Sequence, residues 1–179
     1  MTHQKNRQSP RHEGFDYTQS GAYFVTICTK NRVCLFGEIR SDAMILNPAG
    51  RMIERWLQKI PSKFPDLDID SAVVMPNHIH GVLLKYSVIT LNQTGETTDG
   101  NISLSDAIQW FKTMTTNEYI KGVRRFQWSP FQRRLWQRSF YDHVIRSEEE
   151  LVKYRMYITE NPLKWMLDCE NPAAAPVSD

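Results

Sequence analysis

Two histidines stand two residues apart in the stretch Met75-Pro76-Asn77-His78-Ile79-His80-Gly81. Side chains alternate between the faces of a strand with period two. His78 and His80 would therefore point one way, and Ile79 the other, toward a core. Spaced about 7 Å along the strand, two imidazoles can lean onto one cation or onto one anionic oxygen. An isolated H-x-H is equally well read as two half-exposed strand histidines bonded to nearby carbonyls. Two imidazoles also leave a divalent ion under-coordinated, so a metal reading needs a third ligand.

Tyr157 and Asn161 are four residues apart near the end of the chain. In a helix both project from one face, one turn apart, which sets a phenol beside an amide oxygen, a hard ligand suited to magnesium or manganese. The plain alternative is amphipathic packing for Tyr157 and a helix-end role for Asn161 before Pro162. Tyr154 competes for a reactive role, but it falls in a stripe with Leu151 and Ile158 that favours burial.

A third signal lies between Tyr119 and Tyr141, where there is no acidic residue. Lys121, Arg124, Arg125, Arg133, Arg134 and Arg138 alternate there with Phe126, Trp128, Phe131, Trp136, Phe140 and Tyr141. Cations neutralise phosphates and flat rings stack on unpaired bases, a pairing that suits single-stranded nucleic acid. The alternative is a core of aromatics under a solvated cationic face. His143 follows closely, as a supporting or a structural residue.

Positioning these groups requires strands and helices, and the pattern supplies them. Ala22–Cys28 alternates and is rich in aromatic and β-branched residues, a strand; Val33–Gly37 reads as a second. Ala49, Met52, Ile53, Trp56, Leu57 and Ile60 form one apolar helical stripe, which Pro61 and Pro65 are expected to stop. Ile69–Met75 and Gly81–Lys85 read as two further strands around Pro76-Asn77. Ser103 or Ser105 caps a helix bearing Leu104, Ile108, Phe111 and Met114. Ser147-Glu148-Glu149-Glu150 fits a capping box for a last helix running to about Asn161, where Pro162 ends it. The order predicts an α+β fold with helices on one face of an antiparallel sheet.

With 179 residues and 41% hydrophobic content, the chain has enough apolar mass for one core and is short for two. We expect a mobile arm over 1–14, a single domain over 15–168 with a flexible loop at 87–102, and a tail over 169–179. No window approaches the length of a membrane span, and the polar N-terminus lacks a secretory h-region, so a soluble, cytoplasmic protein is expected. Cys28, Cys34 and Cys169 are odd in number and lack C-x-x-C spacing, which excludes a disulfide scaffold and a zinc ribbon.

Taken in order, GAYFVTICT, PNHIHG, LWQRSFYDHVIR and YRMYITENPLKW resemble the single-tyrosine HUH transposases, in particular the branch associated with repetitive extragenic palindromes (REP-associated tyrosine transposases). The resemblance covers about Gly14 to Leu167. It implies a ferredoxin-like (RRM-like) sheet, with His78 and His80 as metal ligands, Tyr157 as nucleophile and Asn161 as third ligand. Many insertion-sequence relatives have glutamine at that last position, and the shorter asparagine demands a closer helix. The resemblance further implies a divalent metal, Mg2+ or Mn2+, and cleavage and rejoining of single-stranded DNA beside a hairpin through a covalent 5′-phosphotyrosine. Recognition would use Lys121, Arg124, Arg125, Arg133, Arg134, Trp136 and Arg138, with Lys5, Arg7 and Arg11 of the arm adding phosphate contacts. It leaves open a homodimer that builds each site from two chains and a monomer that builds its own. Two rivals stand beside this reading: a non-catalytic RRM-like module that binds single-stranded or hairpin nucleic acid, and a metal hydrolase using His78, His80 and a third ligand such as His143.

Overall fold

The computed structural model describes residues 20–87, 89–91, 97–99 and 102–174. The arm with Lys5, Arg7 and Arg11, residues 88, 92–96 and 100–101 of the 87–102 loop, and the end of the tail lie outside the described residues. In chain order the elements are β1 (Gly21–Cys28), β2 (Gly37–Arg40), β3 (Ala43–Leu46), α1 (Pro48–Gln58), α2 (Ile60–Lys63), β4 (Leu67–Val74), β5 (His78–Lys85), β6 (Ile89–Leu91), β7 (Thr97–Asp99), α3 (Leu104–Phe126), β8 (Tyr141–Ile145) and α4 (Glu148–Glu160). The main sheet has the order β4-β5-β1-β8 and is antiparallel throughout. With α1 and α3 as the two crossovers, this is the βαββαβ, ferredoxin-like arrangement.

Period-two alternation along β1 divides the molecule. Tyr23, Val25 and Ile27 point into the main core, against α1 and α3 residues such as Met52, Ile53, Ile108 and Phe111. Phe24 points the other way, into a small cluster with Val82, Ile145 and Ile158, flanked by Leu151 and Tyr154. The expected one-face layering thus holds for α1 and α3, whereas α4 covers part of the opposite face. That placement follows from its Leu151/Tyr154/Ile158 stripe, which needs apolar partners and finds them on the even positions of β1.

The serine caps read from sequence are present at Ser103 and Ser147, and the structure adds one at Asn47. Asn47 Oδ1 accepts the Gly50 N–H at 2.9 Å, with Pro48 in the first turn of α1. Ser103 Oγ accepts the Asp106 N–H and Ser147 Oγ the Glu150 N–H. The return arm of the last box differs: Glu150 accepts the Arg146 N–H at 2.8 Å and also reaches His143 at 2.6 Å. Pro61 does not stop the helical region but sits in the first turn of α2, where its missing N–H costs nothing.

The predicted strand over 33–37 is corrected. Leu35 and Phe36 spend their N–H groups on the Pro76 carbonyl, at 2.8 and 3.0 Å, so the segment braces the β4–β5 turn instead of pairing. The strand starts at Gly37, in the β2–β3 hairpin. No helix among the described residues is long and apolar enough to cross a membrane.

Candidate active site

The β4–β5 turn is tight, closed by Met75 N–H to the His78 carbonyl at 2.8 Å. His78 and His80 open β5 on the α4 side, and both are buried. Their rings lean together, with centroids 4.4 Å apart, closer than the strand repeat alone would put them. Each ring is held at Nδ1: His78 by Asn77 Oδ1 at 2.8 Å, His80 by Thr26 Oγ1 at 2.8 Å across the β1–β5 pair. Both Nε2 atoms therefore face away from their anchors, into the same space.

Tyr157, on α4, brings its hydroxyl to 3.4 Å from His80 Nε2 within the same chain. Its ring stands edge-on to Phe24 and to His80, and 38% of the residue is exposed. A phenol there is packed against the histidines yet open to a substrate. Tyr154, one turn earlier, stacks on Phe24 at 4.3 Å and belongs to the apolar cluster. Asn161 ends α4 and is buried, and its side chain lies close enough to His78 and Tyr157 to act on both.

A further group, Asp168, follows a short 3-10 turn over Trp165–Leu167. The Glu170 N–H donates to Asp168 Oδ1 at 2.7 Å, which leaves Oδ2 facing His78 Nε2 at 3.5 Å. Among the described residues, four buried side-chain polar atoms lack a hydrogen-bond partner, and three of them meet here: His78 Nε2, Asn161 Oδ1 and Asp168 Oδ2. An unsatisfied buried polar group costs about 1–3 kcal/mol, so three at one place point to a shared ligand. The donors are lone pairs on nitrogen and oxygen, and the His78, His80 and Asp168 ligand atoms lie within 4.8 Å of one another. This donor set fits a divalent cation.

Burial sets the protonation states. It drives the His78 pKa down to about 3, against an opposing contribution from the Asn161 amide, and drives His80 well below the usual histidine range, with His78 adding to the effect. Both rings are therefore neutral and able to donate lone pairs at neutral pH. The Tyr157 phenol is pushed up to about 12 by burial and by the Asp168 charge. Burial also raises the Asp168 carboxyl.

The four positions expected from sequence at the site, His78, His80, Tyr157 and Asn161, come together. Asp168 was missed, because a lone aspartate past the helix-ending proline has no periodicity to mark it. Asn77 and Thr26 were missed as ring anchors, although register places Thr26 opposite His80. His143 lies elsewhere: it is paired with Glu150 at 2.6 Å and is absent from the histidine–aspartate group.

The basic segment divides. Lys121, Arg124, Arg125, Arg133, Arg134 and Arg138 are all exposed. Trp136 is corrected from a stacking platform to a core residue: only 4% of it is exposed, its ring packs near Phe36 and Phe111, and Nε1 donates to Thr115 Oγ1 at 2.9 Å. Phe126 and Tyr141 are the exposed rings of the segment. Gly122 lets Trp128 lie directly on α3, since a Cβ there would collide with the indole. The buried Lys112 ammonium donates to the carbonyls of Gln137, Arg138 and Ser139 at 3.1–3.3 Å, fixing the loop that carries the last cation.

One end of the four-stranded ferredoxin-like sheet thus carries paired imidazoles and a helix-borne phenol, an arrangement able to hold a cation beside a nucleophile. Comparison with known proteins narrows this. No family model matches the chain. An uncharacterized protein of Haemophilus influenzae is 32% identical over 176 residues, covering 91% of this chain and 92% of that protein. A second protein of that organism, named as a REP-associated tyrosine transposase, is 27% identical over 152 residues, covering 83% and 74%. A solved REP-associated tyrosine transposase bound to a REP hairpin superimposes with a TM-score of 0.58 at 20% identity, over 84% of this chain and 72% of that one; this is a likeness of fold. The chain is thus similar to the REP-associated tyrosine transposases, in sequence to the second Haemophilus protein and in fold to the solved structure.

Proposed function

We propose that the protein is an HUH-type transposase that cleaves and rejoins single-stranded DNA beside a hairpin, with Tyr157 as nucleophile. The observation that carries this reading is the 3.4 Å approach of the Tyr157 hydroxyl to His80 within one chain, next to three orphaned buried donor atoms. His78, His80 and Asp168 would hold a divalent cation, Mg2+ or Mn2+, with Asn161 Oδ1 as a further oxygen donor. Such a cation, when bound, supplies Lewis-acid stabilisation of charge on a phosphate oxygen.

The protein's own groups do the rest. Tyr157 Oη attacks phosphorus in line, forming the O–P bond of a 5′-phosphotyrosine as the bond to the 3′-oxygen breaks. The phenol proton is lost and the departing 3′-oxygen gains one, so a free 3′-hydroxyl results. Attack by a second 3′-hydroxyl reverses these changes and joins strands without an external energy source. With its pKa near 12, the phenol ionises at neutral pH only beside positive charge. Phe24 buttresses both the His80 and Tyr157 rings, which orients the nucleophile. The exposed cations of 121–138, with Phe126 and Tyr141, suit the phosphates and unpaired bases flanking a hairpin. A monomer suffices for this arrangement, since nucleophile and histidines come from one chain.

A nicking assay on a hairpin oligonucleotide with single-stranded flanks and Mn2+ tests the reading. The His78→Ala/His80→Ala variant should lose cleavage by about a thousandfold, the equivalent of the several kcal/mol a metal contributes. Undiminished cutting would refute the metal site. Hairpin binding with no cleavage in the native protein would favour the non-catalytic binding module.

A further inference from the structure

The side chain of Asn77 is fully buried, and all of its polar atoms are engaged. Its Nδ2 donates to the Arg32 carbonyl at 2.9 Å and to the Glu170 carbonyl at 2.7 Å. Carbonyl oxygens only accept, so these two contacts fix which end of the amide is nitrogen. Oδ1 is then the atom at 2.8 Å from His78 Nδ1. An amide oxygen only accepts as well, and at 2.8 Å it places the hydrogen on Nδ1, whereas the Asp168 oxygen stands off Nε2 at 3.5 Å. A neutral imidazole has one N–H; with that hydrogen on Nδ1, Nε2 holds a bare lone pair, the atom that lacks a partner beside Asp168 and Asn161. His80 has no such constraint, because the Thr26 hydroxyl at its Nδ1 can donate or accept.

We propose that Asn77 is a positioning residue that sets the tautomer of His78, protonated at Nδ1 with the Nε2 lone pair presented to the site. The backbone carbonyls of Arg32 and Glu170 set Asn77 in turn, so the turn after β1 and the segment after Asp168 both bear on a single ring. That the lone pair serves a cation rests on the proposed function above; the tautomer itself does not.

The test is long-range 1H–15N correlation on the full chain, 15N-labelled at histidine and free of metal, followed by Mn2+ titration. Native His78 should show a protonated Nδ1 and a bare Nε2; a protonated Nε2 overturns the proposal. Asn77→Leu, close in size but without an acceptor, should lose the preference and bind Mn2+ about 10–100-fold more weakly. Asn77→Asp keeps an acceptor at Nδ1 but loses both donations to the Arg32 and Glu170 carbonyls, so it should keep the tautomer while binding Mn2+ more tightly than Asn77→Leu and less tightly than the native protein; a protonated Nε2 in it would contradict the proposal. Unchanged Mn2+ affinity in Asn77→Leu would contradict the proposal, and if that variant fails to fold the native spectrum decides alone. Failure of the native protein to bind Mn2+ would count against the metal reading and leave the tautomer result to judge Asn77.

Discussion

The two faces of the sheet are built on opposite terms. Under α1 and α3, side chains from β1 and β5 meet a continuous apolar core. Under α4 the apolar cluster is small, built on Phe24, Val82, Ile145 and Ile158, and beyond it lie two neutral imidazoles, a phenol and three polar atoms without partners. The same strands serve both faces: Ile79 points into the core between two histidines that point into the site. Period two thus lets one element hold the fold together on one side and carry uncompensated polar groups on the other. The stability that tolerates the site comes from the face that takes no part in it.

Exchanging effects between the faces is the sharpest way to break this comparison. Phe111→Ala, at a position with no exposure, should cost about 3–5 kcal/mol in urea unfolding while leaving Mn2+ affinity of the folded protein unchanged. A loss of affinity as large as that of the double-histidine variant would show that the faces are not separable.

The pH dependence separates the faces by a smaller amount. Burial lowers the histidine pKa values in the native state, His78 to about 3 from 6.5, so the unfolded chain binds more protons below about pH 6.5. This contribution is present in full above that pH and is lost as pH falls, by up to about 1.4 kcal/mol per pH unit for each ring. Burial raises the Asp168 carboxyl, which acts with the opposite sign, so the histidine contribution is read as the difference between the native protein and the double-histidine variant from about pH 7 to pH 5. Urea unfolding in chelator should show that slope in the native protein and a much flatter one in His78→Ala/His80→Ala; equal slopes would contradict burial as the cause.

The smallest effect concerns the surface. Arg133→Ala should change stability by less than about 0.5 kcal/mol yet weaken hairpin binding evenly across sequences and reduce the salt slope by about 1, measured by fluorescence anisotropy at several salt concentrations. An unchanged slope would remove Arg133 from the interface.

The sequence disclosed features governed by short-range rules. Alternation in β1 and β5, the α1 stripe, the serine caps and the shared face of His78 and His80 all follow from spacing within one element. Features that depend on where segments meet were not legible. Val33–Phe36 has the composition of a strand, but the Pro76 carbonyl captures its N–H groups. Trp136 looks like its exposed aromatic neighbours until β1 extends to pair Thr29 with it and draws it inward. Asp168 becomes a candidate ligand only because the chain folds back after Pro162, and α4 reaches the histidine face only because the apolar patch around Phe24 receives it.

The central claim is that the helix-borne phenol at the histidine pair performs the bond exchange. Its most direct test is to trap the protein on a Mn2+-supported hairpin substrate and locate the attached nucleotide by peptide mass spectrometry. The account predicts a 5′-phosphate on Tyr157 and no adduct in Tyr157→Phe with hairpin affinity retained; an adduct on Tyr154 or any other residue, or one that persists in Tyr157→Phe, would contradict it.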